Sequence, residues 1–513
     1  MTDSEHAVGG FHFINESLAR LVHRFERIGW LIILGLGCLI GSGMITKWLM
    51  VAVAATLFAC LGRWFAYPLV RKRTLMISLL VFSLALTRLR QDIGVIILEP
   101  WQIATALCFG VWGLEVACGR CSRVYRLDRL GVLALLVVAG AILSLFGALD
   151  VPIWFKRSIR VLGLFGMYWY LVQNVRQSSQ VAAMIRAGLW ACALTGVVML
   201  VQFAGLVRRG EISLYVLSDT GVRGTFANGN EAGTFLVIFL VIAAAFHYSR
   251  ARAFLMRRTA FSLVVGLTAL GLVISQSRTA ALIVGILCAL LFARNVRFLR
   301  FVAMAVLVLA LSWPLPMTQF FAGRLLASVG LSGEQSYDRY VQASTSTRLF
   351  LWRVYLEVVR THPVFGIGAG NYGLIEKMDI RMPQVGSDVP FDPNFYLGAS
   401  AHNGFLNWWA ETGTIGLLSF LLTLVYAGWL LLGLFRERDV SNSWRAMSLG
   451  GAGALGAFIL TNFTGDFGVS EPRYWFLLAL TSILIRLRRE QDSLCIASPT
   501  PPTPGISAAR TTV

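Results

Sequence analysis

Apolar runs of about 16–25 residues recur along nearly the whole chain, separated by short breaks rich in arginine or glycine. Runs of that length match the ~20 residues that an α-helix needs to cross a hydrocarbon layer ~30 Å thick. Fourteen can be read, at 28–45, 48–70, 74–88, 101–118, 131–149, 158–174, 181–207, 232–249, 259–276, 279–294, 299–316, 412–435, 447–464 and 474–487. The first two are joined so tightly that they must form a hairpin. The expected fold is an all-α polytopic membrane protein of about 12–14 transmembrane helices with one large loop subdomain. A β-barrel is excluded, because its strands alternate in short segments instead of running continuously apolar. The polar interruption at 317–411 is too long for an ordinary connection and predicts a folded unit. The chain thus divides into an N-terminal segment 1–27, transmembrane helices 28–316, the large loop 317–411, C-terminal transmembrane helices 412–488 and a Pro/Ser/Thr-rich disordered tail 489–513.

Composition agrees. Of 513 residues 57 % are hydrophobic and only 14 % charged, about half the charged share of a soluble domain. The net charge of +19 is almost all arginine. Nucleic acid is excluded as its target, because the charges fall in short loops between apolar spans, the pattern of the positive-inside rule and of anionic lipid headgroups. The clusters Arg71–Lys72–Arg73, Arg120 to Arg129, Arg250 to Arg258, Arg294 to Arg300, Arg436 to Arg445 and Arg486 to Arg489 fall on one side, which is therefore expected to be cytoplasmic. Both termini share that side, as an even number of spans requires. No cleavable signal peptide is evident. Cys38, Cys60, Cys108, Cys192 and Cys288 read as small core residues. Cys118 and Cys121 form a lone CxxC with no second pair, weak evidence for metal or redox chemistry.

Four places on the opposite side carry residues suited to chemistry. In "GVRGTFANGNEAG" Arg223 precedes a polar, glycine-rich turn; the alternative is an asparagine-capped interfacial turn. In "VISQSRTAALIV" Arg278 occupies a very tight turn between two spans, on the side where positive charge is disfavoured; the alternative is a snorkelling side chain. In "STRLFLWRVYLEVVRTHPVFGIGAGNYG" Arg348 opens an amphipathic helix that is expected to place Leu349, Trp352, Leu356 and Val359 on one face. The glycines after it look like a nucleotide loop, but they follow a helix and open no βαβ unit, so a flexible turn after Pro363 is the expectation. The fourth is "GASAHNGFLNWWAETGTIGLL". If 402–411 is helical, His402, Phe405, Leu406 and Trp409 share a face. A metal is not expected, since no HExxH exists and Glu411 is out of phase with His402. A neutral histidine can take a proton from a hydroxyl, and guanidinium forks suit phosphate oxygens; a capping or packing role for His402 stays open. Together these residues predict transfer from a diphosphate-activated, lipid-borne donor to a hydroxyl.

"AHNGFLNWWAETGTIGLL" resembles the signature of the bacterial O-antigen ligase and O-antigen polymerase superfamily. "SQSRTA", "TRLFLWRVYLEVVRTHPVFGIGAGNYG" and "RGTFANGNEAG" are similar to further segments of that family, in the same order over about residues 210–420. The resemblance implies a multi-pass inner-membrane glycosyltransferase of bacteria, working at the periplasmic face on undecaprenyl-diphosphate-linked glycan without metal or other cofactor. It implies His402 as base, Arg278 and Arg348 as diphosphate-binding residues with Arg223 in addition, and Asn403 and Glu411 in support. The acceptor is a lipid A–core sugar for a ligase and another lipid-linked repeat of O-antigen, capsule or exopolysaccharide for a polymerase. Membrane lipids are the remaining expected partners, and nucleic acid is not one. A rival of another class, a flippase or transporter of lipid-linked oligosaccharide, predicts charges deep within spans, for which only Arg63 and Arg186 offer themselves.

Overall fold

The computed structural model describes residues 69–93, 96–117, 124–208, 222–275, 277, 280, 282–283, 285–286, 335–379, 399–437, 440–466 and 468–497. The expected spans 28–45, 299–316, most of 48–70 and of 279–294, the Cys118/Cys121 pair and Arg278 lie outside them.

The described chain is helical but for one small hairpin. Its helices of more than ten residues are α1 (Leu69–Ser83), α2 (Pro100–Ala117), α3 (Arg129–Leu143), α4 (Val151–Asn174), α5 (Ser178–Arg208), α6 (Gly229–Tyr248), α7 (Arg258–Ser275), α8 (Gln335–Thr361), α9 (Gly404–Arg436), α10 (Asn442–Asn462) and α11 (Pro472–Ala497). Between α1 and α2, strands β1 (Gln91–Ile93) and β2 (Ile96–Leu98) pair antiparallel with Asp92 opposite Ile97. Five segments among the described residues are long and apolar enough to cross a membrane: Arg129–Gly147, Ser178–Leu206, Gly229–Tyr248, Arg258–Ser275 and Gly404–Arg436. Helices are the form such segments must take, because a lipid interior offers backbone groups no other partner.

Short polar residues mark the starts. Asp128, Asp150, Asn228, Asn403 and Ser441 each cap the helix that follows by accepting from its first free amides. Packing then runs α6 against α10, α5 against α1 and α7, α9 against α3 and α10, and α11 against α4. Small residues allow the closest crossings. A Cβ at Gly196 of α5 would stand 2.2 Å from the Leu267 carbonyl of α7, and one at Gly140 of α3 would stand 3.0 Å from the Gly416 Cα of α9.

A second, smaller core sits beside the membrane bundle. Phe350, Leu351, Val354, Tyr355 and Val358 of α8 bury themselves with Ala401, Leu406 and Ala410. This corrects the expected face of α8. Leu349 and Leu356 are 49 % and 43 % exposed, because the helix has two apolar sides and the one holding Tyr355 is turned to the protein.

The glycine-rich turn after α8 is fixed, not flexible. The amides of Ile367 and Gly368 donate to the Ala410 and Glu411 carbonyls at 3.0 and 2.9 Å, and Thr414 N donates to Pro363 O at 2.8 Å. From the other flank, the Ser144 hydroxyl accepts from Ala369 N at 3.0 Å and Leu149 N donates to Ile367 O at 3.1 Å. The turn therefore clamps the α3–α4 connection to α9 at the point where α9 breaks. Gly413 there has φ 66° and ψ −170°, so residues 404–412 form a short helix set apart from the spanning part. A Cβ on Gly413 would lie 2.1 Å from the Val364 carbonyl, and one on Gly366 (φ +67°) would lie 2.5 Å from that of Ala410. Gly413→Ala and Gly366→Ala are each expected to cost about 1–3 kcal/mol. Thermal melts in detergent should record lower midpoints for both, whereas Gly110→Ala, whose Cβ would meet nothing within 4 Å, leaves the midpoint unchanged or raises it.

Candidate functional site

His402 is not the first residue of a helix but stands just before one. Its φ of 48° lies in the left-handed region, unusual for a residue with a side chain. Asn403 follows as the N-cap of α9, its Oδ1 accepting from the amides of Phe405 and Leu406 at 3.1 Å each. The cap fixes where the helix begins, and the left-handed turn before it swings the imidazole out of the helical stack. The His402 side chain is 46 % exposed.

Its partner comes from the loop between α10 and α11. Asp466 Oδ2 lies 3.1 Å from His402 Nδ1, and the same oxygen accepts from the Ser400 hydroxyl. A carboxylate on Nδ1 selects the tautomer with a proton there and leaves Nε2 as the proton acceptor. Asp466 is a partner of His402 that the sequence did not single out. No spacing in the sequence links a lone aspartate between α10 and α11 to His402. Gly404 lets the loop approach, since a Cβ there would stand 2.1 Å from Asn462 Oδ1 and 3.0 Å from Gly468 N.

α8 supplies the opposite wall. Trp352 Nε1 donates to Ala401 O and the Tyr355 hydroxyl to Ala399 O, both at 3.0 Å. Burial pushes the Tyr355 hydroxyl well above its usual range, which keeps it a donor. Arg348, half-buried, lies one turn before Trp352 and so continues its stripe of the helix beside the His402 segment.

Beneath His402, Glu411 has no exposed surface. Its carboxylate accepts from Asn407 Nδ2 at 3.4 Å and from the Gly370 amide, and it feels the guanidinium of Arg157. Arg157 also acts on Tyr372, whose phenol burial pushes upward. Arg157 comes from α4, in the first 200 residues, where the sequence offered no motif. Glu411 is closed off from any substrate, so its contacts make it a support for the site's floor.

Arg223 stands in a different segment, before α6. Its amide donates to Gln202 Oε1 at 3.1 Å and its Nη1 to Ala227 O at 3.4 Å. Nearby cations are committed to acids and carbonyls. Arg160 forks onto Glu99 at 3.0 and 2.9 Å, while Arg473 pairs with Glu471 and donates to Glu231 O at 2.7 Å. The structure thus brings His402, Asn403 and Glu411 to one region beside the helix that bears Arg348, sets Arg223 on the separate segment before α6, and does not describe Arg278. Among the described residues no three His, Cys, Asp or Glu side chains group as metal ligands.

Residues 261–421 match the family described as O-antigen ligase. The match includes Arg278, Arg348, His402, Asn403 and Glu411, and it leaves Arg223, Asp466 and Arg157 outside. No curated protein matches the chain.

The cap predicts a measurable effect. Asn403→Ala is expected to cost about 1 kcal/mol by removing the acceptor for two amides, and Asn403→Asp to retain most of it. Thermal midpoints of the two purified variants compared with the unaltered protein check this.

Proposed function

With a domain of the O-antigen ligase superfamily at residues 261–421, we propose that this protein is a glycosyltransferase that moves a glycan from a polyprenyl-diphosphate carrier to a sugar hydroxyl at the periplasmic face of a bacterial inner membrane. The observation that carries the reading is the His402–Asp466 contact, on an exposed turn at the membrane edge and inside the matched family region on the histidine's side.

In the proposed steps, His402 Nε2 takes the proton of the acceptor hydroxyl, and Asp466 stabilises the imidazolium that results. The acceptor oxygen bonds to the anomeric carbon as the bond from that carbon to the diphosphate oxygen breaks, with inversion. Polyprenyl diphosphate leaves with the electron pair, and Arg348 and Arg278 hold its growing charge. Arg223 adds positive potential from the α6 side. Asn403 and Glu411 position the turn and touch no substrate. Ligation to a lipid A–core sugar and polymerisation onto another lipid-linked repeat share this chemistry and differ in acceptor.

The sidedness rests on α9. His402 precedes its first turn, whereas Arg436 closes its last, beside the basic connection to α10. Position at opposite ends of one helix supports a histidine on the side away from the arginine-rich loops, the side read as periplasmic.

Reconstitution with a polyprenyl-diphosphate-linked repeat and a candidate acceptor tests the reading. His402→Ala is expected to lower turnover about 10²–10⁴-fold, the usual contribution of a general base. Arg348→Ala and Arg278→Ala should lose turnover and weaken donor binding, while a chelator leaves the rate unchanged. Full activity in His402→Ala contradicts the base assignment.

A further inference from the structure

A cavity of about 940 Å³ opens between α9 and α10, on the side of α9 that bears the turn with His402. Its upper end is Asn403, Trp409 and Trp352, and its lower end is Arg436. Between them the walls are aliphatic and aromatic, with small residues at Gly428, Gly433, Ala452 and Gly456. From the break at Gly413 to Arg436 the helix rises roughly 35 Å at ~1.5 Å per residue, so the trough runs the depth of a ~30 Å hydrocarbon layer.

We propose that this trough holds the long hydrocarbon chain of the lipid carrier, a single polyprenyl chain laid along α9 with its phosphate end at the His402 turn. The proposal rests on the functional reading above and adds where the donor's lipid lies.

Length argues for this occupant. A fatty acyl chain ends near the middle of the bilayer and would fill half the trough, whereas a long polyprenyl chain can follow it to Arg436. Charge argues likewise. Residues 348, 352 and 356 are successive positions of one helical stripe. Trp352 and Leu356 line the trough, and Arg348 carries the stripe one turn further. A cation thus follows an apolar channel, which complements an anionic head on an apolar tail. Trp352 and Trp409 line the end of the trough nearest the His402 turn, and tryptophan rings favour the headgroup level of a membrane.

The trough can be filled without disturbing the bundle. A Cβ on Gly433 would meet nothing within 4 Å, and one on Gly428 would meet only Leu455 Cδ2 at 3.7 Å. The test is lipid retention by the purified full-length protein, measured by native mass spectrometry with undecaprenyl phosphate, farnesyl phosphate and dioleoyl phosphatidylglycerol. The unaltered protein should retain undecaprenyl phosphate at least about tenfold better than either other lipid. Gly428→Phe combined with Gly433→Phe should remove that preference while its thermal midpoint holds. Because a filled variant could misfold, a second measurement uses the unaltered protein: a diazirine placed along undecaprenyl phosphate should label peptides spanning 417–433 and 452–459. Equal retention of all three lipids, undiminished preference in the folded variant, or labelling confined to other helices overturns the proposal. These readouts need no turnover, so they fail independently of the glycosyltransferase reading.

Discussion

Two backbone hydrogen bonds, from Ile367 and Gly368 to the carbonyls of Ala410 and Glu411, hold the site together. They exist because α9 breaks at Gly413, which turns its last pre-membrane carbonyls toward the glycine-rich turn instead of along the helix. A membrane interior would not tolerate such unmatched carbonyls. At the interface, a neighbouring loop can satisfy them. The same turn is bonded through Ala369 to Ser144 and through Ile367 to Leu149, so the short helix bearing His402 is referenced to α3 and α4 as well as to α8. A side chain carried on a loop gains a defined position from such a frame.

The loop from α10 to α11 completes that frame. At Asp466 it reaches His402, at Ser470 its carbonyl accepts from Arg160, and Arg473 just beyond it donates to Glu231 O. One short connection thus joins α4, α6 and the histidine turn. Within this frame Arg160 and Glu99 form a part-buried, two-pronged ion pair whose desolvation cost offsets much of its attraction.

Much of the fold was legible because a bilayer leaves few choices: long apolar runs must be helices, and those at 131–149, 181–207 and 232–249 are. The segment around His402 stood out because histidine, asparagine and tryptophan cluster there in so apolar a chain. The details that failed have physical causes. Periodicity assigned α8 one apolar face, but it has two, one for the small core and one for the trough. His402 was expected within a helix, yet it takes a left-handed conformation before Asn403, which local sequence does not announce. Asp466 and Arg157 reach the site through tertiary packing from α10–α11 and α4, and such long-range pairings leave no mark in residue spacing.

The proposed mechanism requires that His402, held through Nδ1 by Asp466, face the diphosphate of a lipid-borne donor. The most direct measurement is a structure of the protein bound to a non-transferable phosphonate analogue of a polyprenyl-diphosphate-linked sugar. Phosphorus-bound oxygens are expected against the Arg348 guanidinium, and the anomeric carbon set so that a hydroxyl within hydrogen-bond reach of His402 Nε2 can attack it. A diphosphate bound away from α8, with His402 turned from the sugar, would contradict the mechanism.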